Sequence, residues 1–237
     1  MVDIINPNGC SPFLLIGDHS GNGIPLALGS LGVADADLQR HIAWDIGVDA
    51  LGRALAARLD ATFIRQHYSR LVIDCNRDPA SPDAMPAISD ATAVPGNATL
   101  DRAAREQRIE EIHAPYHAAI AAALADRPLS TILVSLHSFT PALAGVTRPW
   151  QIGVLHAGHN DGFALRLRDW LMRNAGMIVG DNAPYRMDST DYTVPRHAFA
   201  MARPYVELEI RQDMLVNPHG VAVIAECLQK AFVAAAG

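Results

Sequence analysis

The stretch Pro12-Phe13-Leu14-Leu15-Ile16-Gly17 is a short apolar run closed by a glycine, and Asp18-His19-Ser20-Gly21-Asn22 follows at once. Such a run reads as a buried strand. Polar residues just past a strand's carboxyl end are where open α/β sheets place their sites. The pattern returns along the chain. Leu71-Val72-Ile73-Asp74 predicts a strand running into Cys75-Asn76-Arg77, and Thr131 to Leu136 (TILVSL) predicts one running into His137-Ser138-Phe139. Thr62-Phe63-Ile64 and Gln151 to Leu155 predict two more, and Tyr205 to Arg211 alternates as a strand of unusual charge. Between them, helical spacing predicts one or two helices over 38–59, helix over 100–125 with Pro115 as a kink or start, and helices over 162–175 and 220–235. Alternating strands and helices with no repeat and no linker predict the α/β class: a single domain over 1–237, with a mixed, mostly parallel central sheet and helices on both faces.

Composition narrows the function classes. Half of the 237 residues are hydrophobic, enough for a large core, which excludes general disorder. The formal charge is −6, Lys230 is the only lysine, and no basic stripe exists, so nucleic acid is not an expected partner. Cys10, Cys75 and Cys227 lie far apart with no CxxC, which argues against a cysteine zinc knuckle and a disulfide framework and for reduced thiols in a cytoplasmic protein. The N-terminus has no signal-peptide pattern, and no run of about 18 apolar residues predicts a membrane span; Ala231 to Ala236 reads as the end of an apolar helix. The Pro-, Ala- and Ser-rich stretch 80–99 reads as a surface loop of the length that often forms a lid. GxSxG, P-loop and GxGxxG motifs are missing.

Four expected strand ends deliver polar groups: His19, Asn76-Arg77, His137 and Glu209 with Arg211. Ionisable groups beside buried strands cost stability unless they are paired or bind something. His19 and His137 are candidate metal ligands, since neutral imidazole suits zinc and catalytic zinc sites use about three protein ligands plus water; a buried hydrogen-bonding histidine is the competing role. Asp45, in an apolar helical stretch, is a candidate third ligand, an acid orienting a histidine, or a helix N-cap. Asn22, three residues after His19, is a weaker candidate. Glu209 and Arg211 share parity on one strand, and a carboxylate beside a metal-bound water can move its proton; Glu207 shares that face and competes. Arg70, Asn76 and Arg77 suit a substrate carboxylate, because guanidinium forks pair bidentately with it. His197 is a further candidate contact. His113 and His117, four apart, read as hydrogen-bonding residues near a helix end.

Taken together, these strings resemble the N-formylglutamate amidohydrolase family. Asp18-His19-Ser20-Gly21-Asn22-Gly23-Ile24-Pro25 is similar to its HSG-x-x-IP signature. The likeness continues, in order, through Trp44-Asp45-Ile46-Gly47, Tyr68 to Arg77, Pro115-Tyr116-His117, Leu136 to Pro141, Asn182-Ala183-Pro184-Tyr185 and Glu207 to Asp213. The resemblance implies a fold like the zinc carboxypeptidases (phosphorylase/hydrolase-like) and relation to the aspartoacylases. It also implies hydrolysis of N-formyl-L-glutamate to formate and glutamate, late in histidine breakdown, the alternatives being a deacylase of another N-acyl amino acid and a non-catalytic dicarboxylate-binding protein on the same fold. On that likeness His19 and His137 are the histidine ligands of a divalent metal, zinc or else cobalt. Asn76-Arg77 is the carboxylate-binding pair, and Glu209 is the general base. The relatives carry His-x-x-Glu where this chain has Asn22, which leaves Asp45 as the candidate for the third ligand. Oligomeric state stays open.

Overall fold

The computed structural model describes residues 2–237. Seven strands form the central sheet: β1 (Val2–Ile5), β2 (Phe13–Gly17), β3 (Thr62–Gln66), β4 (Ile132–Phe139), β5 (Ile152–Leu155), β6 (Val179–Asp181) and β7 (Tyr205–Arg211). Their order across the sheet is β1-β3-β2-β4-β7-β5-β6. The central four, β3, β2, β4 and β7, are parallel; β1 pairs antiparallel with β3, and β5 antiparallel with β7.

Alternation along each strand separates two faces. One face presents Phe13, Leu15, Val134, Leu136, Val206, Leu208 and Ile210 to the helices α1 (Val48–Leu59), α3 (Gly162–Asn174) and α4 (Pro218–Ala236). It is apolar except for Arg65 near the end of β3 and Ser138 near the end of β4. The other face starts apolar, with Leu14, Ile16, Leu133 and Tyr205 against Tyr116, Ile120 and Leu124 of α2 (Ala114–Ala125). Toward the carboxyl ends of β4 and β7 it turns polar: Ser135 and His137 follow Leu133, and Glu207 and Glu209 follow Tyr205, all buried. The site therefore lies on one face of the sheet's carboxyl end. The α4 helix is long and apolar enough to cross a membrane, and here its Val221, Ile224, Leu228 and Phe232 are packed in the core against α1 and α3.

Three expectations change. Of the one or two helices predicted over 38–59, the long one begins only at Val48, because Gly47 takes a left-handed turn (φ 85°) against Leu215, and 39–47 are turns after a short helix that ends at Leu38. Leu71-Val72-Ile73 is not a strand. It is fully buried among Leu31, Ile42, Met85 and Val94, and side chains take the place of a strand partner: Asn97 Nδ2 donates to the Leu71 carbonyl (2.8 Å) and Arg108 Nη1 to that of Val72 (2.9 Å). The stretch 80–99 is folded, with a hairpin pairing Ile88–Ser89 with Thr92–Ala93 and with Met85 and Val94 buried. Before Pro115 the chain widens into a π turn, Ile109–His113, as expected where proline withholds an N–H. The edge strands β1 and β6 are additional to the predicted set.

Candidate metal centre and active site

Loops and the strands β4, β5 and β7 converge on a cavity of about 520 Å³. His19 leaves β2, where Gly21 is needed because a Cβ there would strike the His67 backbone. Asp45 sits in the turn before α1; its backbone N–H donates to the His19 carbonyl (2.8 Å). His137 lies on β4, in register beside Glu209 of β7. One ligand atom from each of His19, Asp45 and His137 lies within 4.8 Å of the others, a group that could hold a metal ion. All three side chains are buried.

The outer partners orient this group. His19 donates Nε2–H to Asp74 Oδ1 (2.7 Å), so in the neutral ring Nδ1 is the nitrogen left with the lone pair; that atom is buried without a hydrogen-bond partner, 3.4 Å from Asp45 Oδ2. His137 Nε2 lies 3.0 Å from Ser135 Oγ and 3.4 Å from Asp18 Oδ2, and its Nδ1 lies 3.0 Å from the same Asp45 oxygen. Carboxylates behind ligand histidines fix the tautomer in this way. Arg70 donates to Asp74 through Nη2 (2.8 Å) and Nε (3.2 Å) and reaches Asp45 at 3.4 Å.

Charge in this cluster is lopsided. Asp18, Asp45 and Asp74 are all buried, and a guanidinium, that of Arg70, is paired with only two of them, Asp45 and Asp74. Burial alone would raise the Asp74 carboxyl, but His19 and Arg70 outweigh it and hold it well below the usual range. Burial likewise opposes ionisation of Asp18, and the His137 hydrogen bond and charge prevail, lowering it. For His19, burial and Arg70 favour the neutral ring, yet Asp74 and Asp45 raise its pKa. With neutral imidazoles the cluster lacks positive charge, which a divalent cation would supply. Glu209 and Glu207 go the other way: burial pushes each up to about 8, and the Oε2 atom of each has no hydrogen-bond partner.

Arg70, Asn76, Arg77, His19, Asp45, His137 and Glu209 all line the cavity, as does Glu207. Asn76 accepts from the backbone N–H groups of Tyr192 and Thr193 (3.0 Å each), so it anchors that segment. Arg77 Nη1 donates to the carbonyls of Asn76 and Thr190 (2.8 and 3.1 Å). Three candidates lie outside the cavity lining. Asn22 donates to the Leu38 carbonyl (3.3 Å), Arg211 pairs with Asp213 (2.8 Å), and His197 bonds His117 (2.9 Å). Two acids escaped sequence reasoning as functional groups, Asp18 and Asp74. Each ends a buried apolar run, and Asp74 also stands four residues after Arg70. Tyr185 and Arg186 also line the cavity, and sequence reading assigns neither a role there.

The model of a known family, N-formylglutamate amidohydrolase, matches residues 11–216. The gene product Atu2144 from Agrobacterium tumefaciens is 34% identical, and its crystal structure superposes with a TM-score of 0.94 over 99% of this chain and 94% of that one. An N-formylglutamate amidohydrolase from Ralstonia eutropha JMP134 shares the fold at 22% identity and a TM-score of 0.69, with 99% and 96% of the two chains covered. A search of curated proteins finds no match. With the family model matched over most of its length, the chain is an amidohydrolase that belongs to the N-formylglutamate amidohydrolase family.

Proposed function

We propose that the protein hydrolyses the N-formyl amide of an acidic amino acid, first of all N-formyl-L-glutamate, with a divalent metal, zinc or else cobalt, held by His19, Asp45 and His137. The observation that carries this is the ring nitrogen Nδ1 of His19. It is buried, has no partner, and faces the Asp45 oxygen that His137 Nδ1 also faces. The donor set, two imidazoles and a carboxylate, is one that catalytic zinc sites use. When bound, the metal supplies Lewis acidity, polarising the formyl carbonyl and acidifying water.

The chain's own groups do the rest. Glu209 takes a proton from the attacking water and returns it to the amide nitrogen as the C–N bond breaks, leaving formate and the free amino acid. Its place beside His137 favours it over Glu207, which lies beside Ser135. Its raised pKa suits a group that must both accept and donate near neutrality. Asp74 and Asp18 hold the rings of His19 and His137. Arg70 holds Asp74 and Asp45, and Arg77 offers the free side of its fork to a substrate carboxylate. The product chemistry fits a late step of histidine breakdown.

A second reading, hydrolysis of a larger N-acyl group, is favoured by a neighbouring cavity of about 400 Å³ that shares His41, Arg70, Arg77 and Thr190 with the first. Formate release from N-formyl-L-glutamate, measured on chelated protein and again with zinc or cobalt restored, tests the main reading. Metal-restored release supports it. Folded protein that stays silent with every metal, yet cleaves N-acetyl or longer N-acyl analogues, moves the assignment to the second.

A further inference from the structure

We propose that Arg186 binds the side-chain carboxylate of the substrate and sets the preference for acidic N-acyl amino acids; this rests on the reading above that the substrate is an N-formyl dicarboxylate. Such a substrate brings two carboxylates into a cavity that Asp45, Asp188 and Asp191 already line. Like charges repel there unless cations answer them. Three arginines line the cavity and no lysine does; Lys230 is on α4, paired with Glu226. Arg70 is committed to Asp74 and Asp45. Arg77 has its nearest carboxylate, Asp191, 4.0 Å away and is open to one substrate carboxylate beside Asn76. Arg186 is exposed and has neither a hydrogen-bond nor an ionic partner among the described residues. Two carboxylates thus meet two available guanidiniums.

The backbone around Arg186 is held in place, so its side chain starts from an anchored position. Met187, next in the chain, is buried in the cluster of Leu14, Ile16 and Tyr116. On the other side, the Tyr185 hydroxyl accepts from Arg148 Nη1 (2.9 Å), and the same guanidinium lies 4.8 Å from the Tyr185 ring centroid. Further on, Asn76 ties down Tyr192 and Thr193. A guanidinium on an anchored segment loses less freedom on binding than one on a loose loop.

The test compares kcat/KM for N-formyl-L-glutamate and N-formyl-L-glutamine, which have the same shape and differ in side-chain charge. In Arg186→Gln the glutamate-over-glutamine ratio falls by about 10- to 100-fold, the range for a hydrogen bond to a charged group, chiefly through KM. Arg186→Lys falls between, keeping the charge without the fork. A ratio that does not change, whether both rates fall together or neither falls, overturns the assignment. So does wild-type protein that cleaves both substrates equally well. Wild-type protein that cleaves neither overturns the proposed function and this assignment with it.

Discussion

Two groups of histidines hold the same segment, Asp74 to Arg77, and they do so in opposite electrostatic states. His19 bonds the Asp74 carboxylate and, with His137, faces Asp18 and Asp45; the pKa of both rings is raised. On the other side, His113 Nε2 meets the Arg77 carbonyl (3.1 Å) and His117 Nε2 the Cys75 carbonyl (3.0 Å), while His197 bonds His117. A carbonyl only accepts, so His117 must donate through Nε2, and its Nδ1 must accept from His197. Burial pushes His117 down to about 3 and His197 down to about 4. The residue type is the same in both groups. What differs is whether a ring is bonded to carboxylates, which leave room for a cation, or to backbone carbonyls and another neutral ring, which do not. The first group is equipped for chemistry and the second supports the segment that carries Asn76 and Arg77.

That contrast breaks first at Glu209. In Glu209→Gln we expect kcat for N-formyl-L-glutamate to fall by about 10²- to 10⁴-fold, the span of general acid–base catalysis, with metal content near that of the wild type. A glutamine variant of normal rate would remove the chemistry from the carboxylate side altogether. A smaller effect is expected at Asp74. Asp74→Asn leaves an oxygen to accept from His19 but withdraws the charge, and metal affinity measured by chelator competition should weaken by about 10- to 100-fold. Unchanged affinity would mean that Asp74 serves only Arg70.

Much of this arrangement was legible in the sequence, for physical reasons. Strands β2, β4 and β7 announce themselves because they are buried on both faces, and the polar residues at their ends stand out against that background. His19, His137 and Glu209 could be singled out for this reason. Asp45 stood out as an acid in an apolar stretch, although its turn was read as helix. Leu71-Val72-Ile73 shows where the reading fails. A fully buried apolar run looks the same whether a strand or the side chains of Asn97 and Arg108 satisfy its carbonyls, and those two residues lie 26 and 36 positions away. The edge strands β1 and β6 are short and half exposed, too weakly patterned to detect. Asp74 and Arg186 were invisible as functional groups because their meaning lies in partners, or the lack of them, across the fold. His197, a candidate substrate contact in the sequence, bonds His117, whose Nε2 meets the Cys75 carbonyl.

The smallest expected effect tests the neutral side directly. The folded pKa of His117 lies below its unfolded value of about 6.5, so between the two the unfolded chain binds more protons. Stability from this group is therefore complete above about pH 6.5 and is lost as the pH falls toward its folded value. His117→Gln keeps a donor for the Cys75 carbonyl but has nothing to titrate. Denaturant unfolding at pH 7 and pH 5.5 should show wild-type protein losing about 1 kcal/mol more than the variant over that interval. His19 and His137 contribute with the opposite sign, because their folded values are raised, but they are common to both proteins and cancel in the difference. His113 and Asp18, which face His117, are also present in both. Parallel pH dependences would mean that His117 is charged in the folded protein, and the two groups of histidines would then no longer differ in kind.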